Sequence, residues 1–140
     1  MADRIIFGID PGVKTGIATW IPAENRFLEI ATMSIVQAMH GVLLAKQDGV
    51  QVSVVIEDAR LRTWFGSAGR EQLQGAGSIK RDCAVWQEFC EYHQIPFQAV
   101  KPAEGWTKWG ADYFRRVTGW KGRTSEHARD AALLVFRAKQ

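Results

Sequence analysis

Residues 5–18 constrain the fold of this chain more than any other segment. They open with the apolar run 5–9, which is too short for a helix and predicts a buried central strand. Asp10 ends this run and is followed at once by Pro11 and Gly12, which favour a reversal of the chain. The segment therefore predicts an antiparallel hairpin with a carboxylate at the end of its first strand.

Asp10 alone is open to two interpretations. A carboxylate in a turn often does no more than accept hydrogen bonds from nearby backbone amides, and by itself this is the commoner explanation. A second apolar segment, residues 50–56, also ends on a carboxylate, Glu57, with Asp58 directly after it. Two buried strands that each carry an acid at their end favour a functional site.

The rest of the chain predicts one domain of mixed α/β architecture. Its 140 residues are enough for a single core, and 46% apolar composition argues against disorder. Residues 15–20 and 27–33 are typical of a second and a third antiparallel strand, and Ser34 can cap a helix that ends near Gly49. Further strands at 50–56 and 95–100 alternate with helices. We therefore expect a mixed five-stranded sheet, flanked by helices, whose first three strands are antiparallel.

The helix from Ser78 to His93 is predicted to be apolar on two faces. Its start is expected to be delayed by Gly75 and Gly77. The two apolar stripes are Ile79-Cys83-Trp86-Cys90 and Val85-Phe89-Tyr92. A surface helix needs only one such stripe, so the second predicts either deep burial or a homodimer contact, and we favour the dimer. The two cysteines lie too far apart along the helix to bridge and are expected to stay reduced.

Two more helices are predicted in the last forty residues. One follows Pro102 and carries Lys108 and Trp109, and the other is capped by Thr124 or Ser125. The buried side of the last helix is mostly small, with Ala128, Ala131, Ala132, Leu134 and Val135, so this helix can pack close to the sheet. His127 and Asp130 are three residues apart and project from one face of its first turns.

Four potential metal ligands thus converge from distant parts of the chain: Asp10, Glu57, His127 and Asp130. Carboxylates clustered at the edge of an apolar core repel one another, so the arrangement makes physical sense chiefly with divalent cations between them. Oxygen-rich sites favour Mg²⁺ or Mn²⁺, and one imidazole shifts the balance somewhat toward Mn²⁺. With three carboxylates, a pair of ions that activates water and stabilises a leaving oxygen is plausible.

The ordered motifs resemble those of the RuvC-like Holliday-junction resolvases, crossover junction endodeoxyribonucleases of the ribonuclease H-like superfamily. The resemblance spans nearly the whole chain and is carried by three segments in order, IDPG at 9–12, VVIE at 54–57 and HARDAALL at 127–134. It implies a ribonuclease H-like fold, two Mg²⁺ ions with Mn²⁺ as a substitute, and symmetric cleavage of four-way or branched DNA by a homodimer. It implies that Asp10, Glu57 and Asp130 are ligands, with His127 where many members carry a carboxylate.

A second resemblance concerns Pro102, Trp106 and Lys108. They are similar to a proline, tryptophan and lysine pattern in phage-type relatives, which implies that Lys108 faces the scissile phosphate or the transition state. An ordinary surface lysine is the alternative for Lys108.

Several cationic and aromatic residues are candidates for DNA contacts. Lys and Arg outnumber Asp and Glu only after residue 100, where nine cations face four acids. Such a segment suits a polyanion, although a solvated face is about equally common. In the family, the loop after the second acidic strand reaches into the junction centre. Here that loop is residues 60–69, and its two aromatic residues either stack on bases or pack internally. The candidates are Arg60, Arg62, Trp64, Phe65, Lys101, Lys121 and Arg123.

Two other functions remain open. A ribonuclease H-like enzyme could use the same fold on RNA or an RNA–DNA hybrid, although the second apolar stripe disfavours a monomeric ribonuclease. A non-catalytic module that binds branched DNA is the third possibility, although clustered acids would give a phosphate binder no advantage. No secretion signal or membrane-spanning run is recognisable, so we expect a cytoplasmic location.

Overall fold

A computed structural model describes residues 3–62, 70–102 and 108–139, and for residues 70–76 it describes the backbone alone. The regular elements are strands β1 (Arg4–Asp10), β2 (Thr15–Ile21), β3 (Arg26–Met33), β4 (Gln51–Glu57) and β5 (Phe97–Val100) and helices α1 (Ile35–Gln47), α2 (Arg70–Tyr92), α3 (Ala111–Thr118) and α4 (Glu126–Leu133). Within these described ranges, no helix is both long and apolar enough to cross a membrane.

The five strands form one mixed sheet in the order β3-β2-β1-β4-β5, which confirms the predicted fold class. The hairpin β1–β2 and the pair β2–β3 are antiparallel, whereas β4 runs parallel to β1 and β5 parallel to β4. Ile9 pairs with Ile56, so the residues that follow them, Asp10 and Glu57, end adjacent strands at the same edge of the sheet. Strand β5 lies at the border of the sheet, as Pro96 predicts.

Each face of the sheet carries its own hydrophobic core. Successive side chains of a strand point to opposite faces, so Ile5, Phe7 and Ile9 of β1 enter one core and Ile6 enters the other. Helices α1 and α2 cover the first face, where Cys83, Trp86 and Cys90 are fully buried. Phe114 of α3 and the small residues of α4 cover the second face. The layered packing positions α4 directly beneath the hairpin that carries Asp10.

Helix α4 lies in backbone contact with the first two strands. A methyl group added at Gly8 would overlap the carbonyl oxygen of Ala131, and one added at Gly16 would overlap that of His127. Ala128, Ala131 and Ala132 are buried at this contact, which confirms the expectation that small residues let the last helix approach the sheet. Ser125 caps the helix by accepting a hydrogen bond from the Ala128 amide.

The predicted start of α2 at Ser78 is wrong. The helix begins at Arg70 and runs through Gly75 and Gly77. Each interior glycine costs a helix only about 1 kcal/mol. Because the following turns are anchored in the core by Cys83, Trp86 and Cys90, extending the helix costs far less than nucleating it.

The prediction that Lys108 and Trp109 lie on a helix is also wrong. Both precede α3, which begins at Ala111 after the extended N-cap residue Gly110. The Gly110 carbonyl accepts the first helical hydrogen bond, from the Phe114 amide. Trp106 lies outside the described residues.

The close contact of α4 predicts that Gly16→Ala is strongly destabilising. The added methyl group must displace the α4 backbone, and overpacking of this kind costs about 1–3 kcal/mol or more. Chemical denaturation of the purified variant measures the change in the free energy of unfolding. Gly41→Ala in α1, where a methyl group meets nothing within 4 Å, is the matched control and is expected to be neutral or slightly stabilising. Equal losses in the two variants would contradict the contact.

Candidate functional site

Three carboxylates from three different elements meet at one edge of the sheet. Asp10 ends β1, Glu57 ends the adjacent β4, and Asp130 projects from α4. Strand pairing fixes the first two relative to each other, and the glycine contacts of α4 fix the third. Their charges interact, because each of Asp10 and Glu57 has its pKa raised by Asp130. The structure therefore brings together the acids that the sequence singled out.

Asp10 is nearly buried and shares a hydrogen bond with His127. Its Oδ2 lies 2.9 Å from the Nδ1 of the imidazole. Burial raises the pKa of Asp10 to about 6, and the charge of Asp130 adds to that rise, whereas the contact with His127 opposes it. The imidazole thus holds the carboxylate in place and compensates part of its charge.

Neighbouring groups offset the negative charge of Glu57 less than they offset that of Asp10. Burial raises its pKa to about 7, and the nearby charges of Asp10 and Asp130 raise it further, whereas those of Lys108 and Arg62 lower it. A carboxyl group with such a pKa gives up its proton only near neutral pH. The negative charge of this cluster is therefore costly for the protein alone.

Lys108 supplies a cation inside the cluster. Its Nζ donates hydrogen bonds to Asp130 Oδ2 at 3.0 Å and to Glu126 Oε1 at 3.2 Å. Partial burial opposes protonation, but the hydrogen bonds and charges of Asp130 and Glu126 together outweigh it and raise the pKa of Lys108 to about 12. Glu126 itself is exposed.

The three carboxylates and the imidazole are suitable ligands for a divalent cation, although in this structure the side chains bind one another and Lys108. Among the described side chains, no three His, Cys, Asp or Glu are already arranged to hold a metal ion. His127 engages Asp10 and Lys108 engages Asp130 instead. A cation placed between the carboxylates would lower the raised pKa values of Asp10 and Glu57, and oxygen ligands of this kind suit Mg²⁺ or Mn²⁺.

A buried ion pair that the sequence reasoning missed braces the chain after Glu57. Asp58 is 1% exposed and accepts hydrogen bonds from the backbone amide and the guanidinium of Arg60. Burial alone would raise the pKa of Asp58, but the bonds from Arg60 lower it below its ordinary value. Arg60 Nη2 also donates to Gln87 Oε1 at 2.7 Å, which ties the turn to α2.

Arg60, predicted as a DNA contact, therefore has its guanidinium bound within the protein. The spacing of Asp58 and Arg60, in which a side chain accepts from a backbone amide two residues on, was the available sequence signal.

The other predicted DNA contacts are exposed where they are described. Arg62 and Lys101 follow β4 and β5 near the carboxylates, and Lys121 and Arg123 lie between α3 and α4. Trp64 and Phe65 lie outside the described residues.

A cleft of about 240 Å³ adjoins the carboxylates, between the ends of β4 and β5 and helix α4. Two larger cavities lie away from the acids. One of about 430 Å³ includes Arg4 and Lys46 at the opposite ends of the strands, and one of about 570 Å³ lies beside α1. Proximity to titratable groups of shifted pKa makes the smaller cleft the relevant one.

Comparison with known proteins returned matches among solved structures only. No protein-family model matches the chain, and no curated protein matches it in sequence. The chain is similar to T. thermophilus RuvC, solved in complex with a Holliday junction substrate, at 18% sequence identity and a TM-score of 0.60. The match covers 96% of this chain and 91% of that chain. The chain therefore has the ribonuclease H-like fold of RuvC, as the ordered motifs predicted.

Proposed function

We propose that this protein is a divalent-metal-dependent endonuclease that cleaves Holliday junctions or other branched DNA by symmetric nicking as a homodimer. The observation that carries the proposal is the cluster of Asp10, Glu57 and Asp130 in a chain with the RuvC fold. A cluster in which burial and neighbouring acids raise the pKa values of Asp10 and Glu57 is costly in a structural role. They suit hydrolysis of a phosphodiester, in which cations must hold a negatively charged reacting group.

The proposed ligands are Asp10, Glu57, Asp130 and His127. Two Mg²⁺ ions held there, or Mn²⁺ in their place, would supply a water of lowered pKa and stabilise the charge on the reacting phosphate. His127 orients the Asp10 carboxylate through the 2.9 Å contact. The close backbone contacts of α4 at Gly8 and Gly16 fix the positions of His127 and Asp130 relative to Asp10. Preorganisation of this kind is the chain's own contribution to the reaction.

Lys108 is proposed to change partners when substrate binds. In the free protein its ammonium donates to Asp130, which is itself a proposed ligand. An ammonium released from Asp130 would donate instead to a non-bridging oxygen of the scissile phosphate. Lys108 would thereby stabilise charge that develops in the transition state.

Four exposed cations are proposed to neutralise phosphates of the junction arms. They are Arg62, Lys101, Lys121 and Arg123. Contacts of this kind release counterions, so we propose that affinity for the junction falls steeply with salt.

The proposal predicts that Asp10→Asn binds a synthetic four-way junction but does not cut it. The substitution preserves size and removes a ligand charge, so the cleavage rate in Mg²⁺ is expected to fall by at least about a hundredfold. Gel analysis of end-labelled strands measures cleavage, and mobility shift measures binding. Asp48→Asn, an exposed change at the end of α1, is the matched control and is expected to cut at the wild-type rate.

The substrate decides between the proposed function and its two alternatives. The wild-type protein is expected to produce paired nicks at symmetric positions of the junction. A linear duplex or an RNA–DNA hybrid that is cut as fast as the junction would favour a general or ribonuclease H-like nuclease. Tight binding without cleavage in either Mg²⁺ or Mn²⁺ would favour a non-catalytic module.

The raised pKa of Glu57 predicts a pH-dependent gain in stability for Glu57→Gln. The folded protein holds a proton on Glu57 up to a pKa of about 7, compared with 4.5 for the ordinary group, so stability falls as pH rises through this window. At pH 8 the variant is expected to be about 1–2 kcal/mol more stable than wild type, after a discount for the partial exposure of Glu57. At pH 4 the difference should vanish.

Thermal denaturation at both pH values, with and without Mg²⁺, measures this effect. Added Mg²⁺ is expected to stabilise wild type at pH 8 and to stabilise Glu57→Gln much less, since the variant has lost a ligand. Glu29→Gln, on the exposed surface of β3, serves as the control and should respond to Mg²⁺ like wild type. A variant less stable than wild type at pH 8 would contradict an uncompensated charge at Glu57.

The dimer is proposed to form through the exposed face of α2. Val85 and Tyr92 of the second apolar stripe are 42% and 81% exposed, and Ile79 at the start of the first stripe is 40% exposed, so burial within one chain does not explain these apolar side chains. Two copies facing each other across α2 would cover it and would supply the two active sites that symmetric nicking requires.

This interface predicts that Val85→Glu converts the dimer to a monomer. Burial of a charge at an apolar contact is costly, so the dissociation constant is expected to rise by about a hundredfold or more. Sedimentation at micromolar concentration measures the association state. Val36→Glu on α1, where Val36 is 76% exposed, is the control and should leave the dimer intact. A wild-type protein that sediments only as monomer would remove the basis for symmetric cleavage.

A further inference from the structure

The cleft beside the carboxylates contains groups that catalysis does not need. Its lining residues are Glu57, Val100, Lys101, Lys108, Asp130, Leu133 and Leu134. The two acids and Lys108 belong to the proposed catalytic cluster. Val100, Leu133 and Leu134 are apolar, and metal ions and phosphates gain nothing from such walls. The apolar part of the cleft therefore calls for an uncharged group that lies next to the reacting phosphate.

We propose that this cleft is a subsite for the base and sugar of one nucleotide adjoining the scissile phosphate. The inference rests on the proposed nuclease function. A DNA strand alternates anionic phosphates with largely apolar nucleosides, and the cleft offers matching surfaces in the same order. With one phosphate at the carboxylate cluster, the adjoining nucleoside meets the apolar walls. Lys101, exposed at the end of β5, lies where it can contact the next phosphate.

The size of the cleft supports a single nucleoside. Its volume of about 240 Å³ is below the range of about 300–1,000 Å³ typical of sites for drug-sized ligands. One ring system fits such a space, and a stacked dinucleotide does not. The cleft is partly open to solvent, so a nucleoside can enter it.

The walls of the cleft are fixed relative to the carboxylates. Val100 pairs with Glu57 in the β4–β5 register, and its carbonyl accepts a hydrogen bond from the Asp58 amide at 2.8 Å. Leu133 and Leu134 lie at the end of α4 and pack against the second core. A nucleoside held between them sits in a constant position relative to Asp130 on the same helix. The cleft thus sets the position of the strand as well as adding affinity.

The lining residues predict that affinity for DNA depends on whether a base is present more than on which base it is. No described lining residue carries an amide or hydroxyl side chain that could read both donors and acceptors of a base edge. Packing against apolar groups tolerates every base, because each has an apolar face.

The subsite is tested by combining substitutions in the protein with abasic positions in the DNA. Junctions carrying one abasic nucleotide, placed in turn at each position around the crossover, are bound by wild type and by Val100→Phe. Binding is measured at equilibrium with Ca²⁺ in place of Mg²⁺, so that no strand is cut. Val100 is half-buried at the end of a border strand, where a larger side chain fills the cleft. Leu134→Phe fills it from the opposite wall, and Val36→Phe on α1 is the matched control.

Wild type and Val36→Phe are expected to lose about tenfold in affinity at one abasic position, the scale of a single base contact. Val100→Phe and Leu134→Phe are expected to keep the wild-type melting temperature and to bind the intact junction about tenfold more weakly. Their affinity should not fall further when that position is abasic. Filling variants that keep the wild-type response to every abasic position would overturn the subsite, as would a wild type indifferent to all of them. If the coupling is present but Mg²⁺ produces no cleavage, the nuclease proposal fails while the subsite stands.

Discussion

The backbone contact between α4 and the β1–β2 hairpin is the constraint on which the site depends. At Gly8 and Gly16 no side chain separates helix from strand, so the carbonyl groups of Ala131 and His127 lie directly against the sheet. The positions of His127 and Asp130 relative to Asp10 are therefore set by main-chain packing, which can shift much less than a side-chain contact can. Two glycines and two backbone carbonyl groups, none of them chemically reactive, thus determine where the side chains of the candidate site lie.

The electrostatics of the site follow from that geometry. Packing forces three carboxylates together at the end of an apolar sheet, where burial and mutual repulsion raise the pKa values of Asp10 and Glu57. The protein offsets part of this cost with its own groups, the imidazole of His127 hydrogen-bonded to Asp10 and the ammonium of Lys108 bound to Asp130. In the proposed function, the same two residues would engage a bound cation and the phosphate.

Much of the fold and the core of the site could be predicted from the sequence, because both follow from short-range patterns. Apolar runs that end on Asp10 and Glu57 specify adjacent strand ends, and the small residues of α4 specify close packing. The start of α2 could not be predicted, since anchoring of its later turns in the core outweighs the cost of Gly75 and Gly77. The contact of Arg60 with Gln87, 27 residues away, could not be predicted either, because no local pattern encodes it.

The two cysteines of the chain have a practical consequence for future experiments. Cys83 and Cys90 are fully buried, and burial raises the pKa of the first thiol to about 11 and of the second to about 12. Alkylating reagents attack thiolates, which neither residue forms appreciably at neutral pH. A cysteine engineered at an exposed position would be the single reactive thiol of the folded chain. Fluorophores or spin labels could thus be attached site-specifically without first replacing the native residues.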